Sequence, residues 1–139
     1  MQTADMLEAR SVSQPIPRSV AQVYEFIAEP ANLSRWAAGL GSSFTLVEGV
    51  WTADTPQGRI TMRFVERNPY GVADHYVRLP SGAEIYMPIR VIANGPGAEV
   101  QITVFRQPGM PDADFDNDLA AVARDLAALQ ALLTRDAPP

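Results

Sequence analysis

Between Ser42 and Gln107 the sequence is cut into short alternating segments by turn signals so closely spaced that only one kind of sheet is open to it. The signals are Glu48-Gly49, Thr55-Pro56-Gln57-Gly58, Asn68-Pro69-Tyr70-Gly71, Pro80-Ser81-Gly82 and Asn94-Gly95-Pro96-Gly97. Glycine and asparagine supply the positive φ that tight turns need, and proline pre-sets its own φ. Connections this short cannot cross over to make parallel pairs, so sequential strands are predicted to form an antiparallel meander. Within the segments, Ile60, Met62 and Phe64 alternate with Arg59, Thr61, Arg63 and Arg67 further on, and Ala73, Val77 and Leu79 with Asp74, Tyr76 and Arg78. Ile85, Met87, Ile89 and Val91 form a third apolar set, and Val100, Ile102 and Val104 a fourth. This describes a sheet with one face in the core and one in water. Pro88 cannot donate to a ladder, and predicts a bulge or an edge position.

Helices flank this region. Leu7 to Ser13 reads as a first strand, punctuated by Pro15-Ile16-Pro17. Pro17 suits the first turn of a helix, on which Val20, Val23, Tyr24 and Ile27 share a face and which Pro30 ends. Asn32 to Ala38 predicts a second short helical turn, closed by Gly39 and Gly41. The chain finishes with one long helix, about Asp112 to Thr134. Phe115, Leu119, Val122, Leu126, Leu129 and Leu133 step by four and three along one stripe. That stripe lacks sustained flanking charge pairs, so it reads as a single core-facing helix rather than a coiled coil. Asp112 reads as its N-cap, with Asp114, Asp116 and Asp118 near the positive end of the dipole. The same acids mimic the start of a calcium loop. Asn117 stands where that loop needs glycine, however, and Ala123 where it needs a bidentate glutamate, so no metal site is expected.

Composition narrows the chemistry. The 139 residues fit one domain, with 1–6 frayed and 135–139 a tail. A net charge of −5 and the absence of any basic cluster argue against a nucleic-acid partner. With no cysteine and no lysine, thiol nucleophiles, disulfides, Schiff bases and P-loops are excluded. A single histidine excludes multi-histidine zinc sites. No cofactor is expected, and nothing indicates a homodimer. The opening MQTADMLEAR has no apolar run, so a cytoplasmic location without membrane insertion is the expectation.

The predicted order is strand, two short helices, six strands, long helix. It resembles the helix-grip fold of the START-like (SRPBCC) superfamily, which includes polyketide cyclase/dehydrase-like proteins, coenzyme-Q-binding proteins and the major birch pollen allergen. PIPRSVAQVYEFIAEPANLSRW, YGVADHYVRLPSGAEIYMPIRVIANG and FRQPGM before the acidic helix start are similar to segments of uncharacterised bacterial members. The resemblance implies an α+β fold in which a curved antiparallel sheet of about six or seven strands wraps the C-terminal helix. Members range from enzymes to lipid carriers, so the resemblance sets a fold and leaves activity open.

A curved sheet against a thin helix should not fill its own interior. Ala113, Ala120, Ala121, Ala123, Ala127, Ala128 and Ala131 lie along the last helix, and those beside the apolar stripe are predicted to face the sheet. The favoured reading is a cavity that binds a small hydrophobic or amphipathic molecule. Its expected contacts are Met62, Phe64, His75 and Met87 from the sheet, Trp36 at the mouth, and Leu119, Val122 and Leu126 from the helix; Met110 is a further candidate. His75 shares parity with Ala73 and Val77 and should point inward, whereas Asp74 should point away and join Arg59, Arg63 and Arg78 on a solvated face. A core histidine without a charged partner should stay neutral. The first rival is a cyclase or dehydrase using His75 as acid–base, aided by Tyr86 or Glu66. The second is a protein-interaction module with an occluded interior and an exposed apolar patch.

Overall fold

The computed structural model describes residues 6–37, 44–48, 50–55 and 58–135. Eight strands and three α-helices follow one another in these residues: β1 (Ala9–Ile16), α1 (Val20–Ile27), a 3-10 turn (Pro30–Asn32), α2 (Leu33–Trp36), β2 (Phe44–Val47), β3 (Val50–Thr55), β4 (Gly58–Phe64), β5 (His75–Arg78), β6 (Glu84–Met87), β7 (Ile89–Asn94), β8 (Gly97–Phe105) and α3 (Asp112–Arg135). This is the α+β helix-grip arrangement. The expected closure at Gly39 and Gly41, and the terminal residues 1–5 and 136–139, lie outside the described residues.

Every strand pair is antiparallel, as the short turns require, and the strands divide into two sheets with the orders β1-β8-β7 and β2-β3-β4-β5-β6. Pro88 makes the division. It has the expected edge position, at the corner where the chain leaves β6, the edge strand of one sheet, and enters β7, the edge strand of the other. The segment before β5 follows the same bend. Val72 bridges Arg90 and the Ala73 N–H donates to the Ile89 carbonyl at 2.9 Å, while from His75 onward the chain pairs with β6 and β4.

Local sequence sets several boundaries differently from the expectation. α1 starts at Val20 because Ser19 and Gln22 cap each other, with both bonds at 3.2 Å; this capping box displaces Pro17 from the first turn. β1 runs on through Pro15, which an edge strand tolerates. Its carbonyl accepts from the Gln130 side chain on α3 at 2.9 Å. Asp112 is the first residue of α3, not its cap; the Pro111 carbonyl accepts the first helical bonds, and Arg106 pairs with Asp112.

α3 packs on β1, β8 and α2, and α1 packs on β7 and β8. Leu126 and Leu129 of α3 are fully buried beside Phe115, with Ile16, Val100 and Ile102 below them. Of the seven alanines on this helix, only Ala121 is partly covered; the other six face solvent. The thin-helix expectation is therefore corrected. Helix propensity explains the alanines, and any space inside must come from how the sheets diverge.

Gly71 holds the bend. Its φ of +72° suits glycine, and a Cβ there would strike the Val91 carbonyl. The Val91 N–H in turn donates to the Gly71 carbonyl at 2.9 Å. Gly71→Ala should therefore lower the unfolding free energy by about 2–3 kcal/mol, measured by urea denaturation at neutral pH, whereas Gly95→Ala, whose Cβ would meet open space, should cost less.

Candidate functional site

The inner face of the five-stranded sheet does not close on α3, and a cavity of about 650 Å³ remains between them. Ile60, Val77 and Ile85 form one wall, Ile102 and Val104 of β8 the floor, and Ala121 and Val122 of α3 the opposite wall. Its lining is mostly apolar, as ligand pockets usually are. It reaches the surface beside Pro80 and Ser81, which are exposed, and beside Asp118 of α3.

Of the expected contact residues, Trp36, His75, Met87 and Val122 border this cavity, as does Met110. Met62, Phe64, Leu119 and Leu126 do not. Met62 is 2 % exposed, paired between Trp51 of β3 and Val77 of β5, and so sealed within the core. Phe64 lies behind His75, their ring centroids 5.2 Å apart. Leu126 is wholly buried in the seam under α3, and Leu119 packs on the core from the same helix. Inward parity identifies a face, but only the divergence of the sheets decides which inward residues meet a void. Residues that parity could not supply complete the lining: Leu33 and Ala37 around α2, Phe105 and Gln107 after β8, and Asp118 and Asp125 on α3.

His75 is 3 % exposed and points inward, as its parity predicts. Its Nδ1, like Nε1 of Trp36, is buried and has no hydrogen-bond partner among the described residues. Burial pushes the His75 pKa down to about 4, against smaller opposing effects from the Ala73 carbonyl and the Asp74 charge. The imidazole is therefore neutral at pH 7.

Asp74 faces the other way, but it is not on a solvated surface. It is 4 % exposed and sits at the Pro88 corner. Its Oδ1 accepts from the Ile89 N–H at 2.9 Å and from Arg90 Nε at 3.0 Å. Oδ2 accepts from Arg90 Nη2 at 2.9 Å and from the Tyr86 hydroxyl at 2.6 Å. Burial alone would raise its pKa; the bonds from Arg90, Tyr86 and the Ile89 amide outweigh that and hold the carboxyl below its usual range. The expected arginine face exists without it. Arg59 pairs with Asp54, and Arg63 and Arg78 with Glu84, while Arg63 also covers the Tyr76 ring at 4.3 Å. Tyr86 is thereby committed to Asp74 and Glu66 is exposed, so neither stands beside His75. Among the described residues no three acidic or imidazole side chains converge as metal ligands, and no helix is long and apolar enough to cross a membrane.

Solved structures with this architecture place the fold. An uncharacterised protein from Bacillus thuringiensis superposes with a TM-score of 0.71 at 20 % identity, over 91 % of this chain and 99 % of that one. Protein MLL2253 from Mesorhizobium loti gives 0.73 at 11 % identity over 94 % and 100 %. DynU16, from the dynemicin biosynthetic locus, gives 0.69 at 16 % identity, over 94 % of this chain and 48 % of its own. No curated protein matches the sequence. The family model described as "Polyketide cyclase / dehydrase and lipid transport" matches residues 9–135, and the chain belongs to that family.

Proposed function

We propose that the protein binds a small hydrophobic or amphipathic molecule in the cavity between the five-stranded sheet and α3. The observation that carries this reading is the cavity itself: about 650 Å³, bordered mostly by aliphatic side chains and open at one end. The family's description, which names both cyclase or dehydrase chemistry and lipid transport, is consistent with it. Trp36, His75, Met87 and Val122 are the contacts we assign from the expected set.

The cyclase or dehydrase reading has one observation in its favour, a histidine bordering that cavity. A general acid–base works best with a pKa near the operating pH, and His75 is held near 4 with no hydroxyl or carboxylate bonded to it among the described residues. Binding without proton transfer is better supported.

Two measurements test these assignments. The neutral dye N-phenyl-1-naphthylamine should bind at one site with enhanced fluorescence, and Ala121→Phe, which fills the cavity from α3, should weaken it at least tenfold while leaving the fold intact by circular dichroism. Equal binding by the variant would move the ligand elsewhere. The second concerns His75. The unfolded histidine titrates near 6.5 and the folded one near 4, so the unfolded state binds the extra proton and stability falls as pH drops through that interval. That shift corresponds to about 3 kcal/mol lost by pH 4. In His75→Gln the decline between pH 6.5 and 4 should largely disappear; an unchanged profile would mean that the ring is solvated.

A further inference from the structure

Polar side chains border the cavity at two depths. Ser81 and Asp118 are exposed where it reaches the surface, and Thr55, Gln107 and Asp125 are half-buried. Only Trp36 and His75 lie deep, each 3 % exposed. Nε1 of Trp36 and Nδ1 of His75 are sealed in without a hydrogen-bond partner among the described residues. Nε2 of His75 differs from both. It is not sealed, and it makes no hydrogen bond among the described residues, so it is the nitrogen that the ring turns toward the cavity. A polar atom this deep in a protein is normally bonded to protein, water or a ligand.

The surroundings set the charge of a partner for Nε2. The imidazole is neutral at pH 7, no arginine is among the described residues bordering the cavity, and the chain has no lysine. A charged group brought inside, carboxylate or ammonium, would lose its hydration against a neutral ring. A hydrocarbon would enter freely but leave Nε2 dry and unbonded. A neutral imidazole carries one N–H and one lone pair, and a hydroxyl answers either at Nε2 because it both donates and accepts.

We infer that the cavity takes an uncharged alcohol or phenol: an apolar body against Ile60, Ile102 and Val122, and one hydroxyl hydrogen-bonded to Nε2 of His75. This rests on the binding reading above and adds the ligand's polar group and its position.

The test is a matched set on the full chain: 2-naphthol, naphthalene and 2-naphthoate, titrated calorimetrically at pH 7. 2-Naphthol should bind about fivefold tighter than naphthalene, the worth of one net hydrogen bond, and 2-naphthoate should bind weakest. In His75→Phe the preference for the alcohol should vanish. A second readout needs no variant. His75 is the only histidine, so NMR on protein carrying isotope-labelled histidine follows its two ring nitrogens individually. 2-Naphthol should move the Nε2 resonance well beyond the shift that naphthalene causes. 2-Naphthol binding no tighter than naphthalene, 2-naphthoate binding tightest, or an Nε2 resonance moved equally by 2-naphthol and naphthalene would each overturn this inference and leave the cavity reading standing. Failure of all three to bind would overturn both.

Discussion

The structure depends on how one buried carboxylate holds a corner. At Pro88 a single hairpin arm is bent so that its first half belongs to one sheet and its second half to another. The partner arm bends with it between Gly71 and His75. Pro88 itself has no N–H, and the bend takes the Ile89 N–H out of the ladder. Asp74 accepts that proton at 2.9 Å and ties Arg90 and Tyr86 to the same point. A charge this deep is costly unless its partners are all in place; here both oxygens are doubly bonded. The bend then lets the five-stranded sheet lean away from α3, which stays on β1 and β8. The cavity is the space opened by that lean.

Asp74 and His75, adjacent in sequence, thus serve opposite purposes. Alternation along the strand sends one side chain to the corner and the other to the cavity. The carboxylate is kept ionised by three donor groups; the imidazole is kept neutral by burial. Both respond to acid in the same direction. Protonating His75 inside an apolar wall and neutralising Asp74 at the corner each favour the unfolded chain, the first between pH 6.5 and 4, the second as pH falls below the ordinary aspartate range.

Much of this was legible in the chain, for identifiable reasons. Turn residues and alternation gave the antiparallel strands, the stripe from Phe115 to Leu133 gave α3, and parity turned His75 inward. Parity also put Asp74 on the outer face, but it could not tell that Arg90 and Tyr86 would cover it there, because that depends on where the hairpin bends. For the same reason it named Met62 and Phe64 as cavity contacts, when Met62 is sealed in the core and the half-buried Phe64 does not border the cavity. The alanines of α3 suggested the right void by the wrong route, since six of them face water. Asp118 reads only as a charge near the start of the helix and nothing in the pattern singles out Asp125; the placement of α3 brings both to the cavity lining.

The claim on which the account stands is that the sheets part from α3 around apolar space. A crystal structure determined from xenon-pressurised crystals tests it most directly, because xenon enters apolar cavities and has strong scattering. The account predicts xenon density among Ile60, Val77, Ile102 and Val122. Density showing those side chains in mutual contact, with no xenon between them, would contradict it.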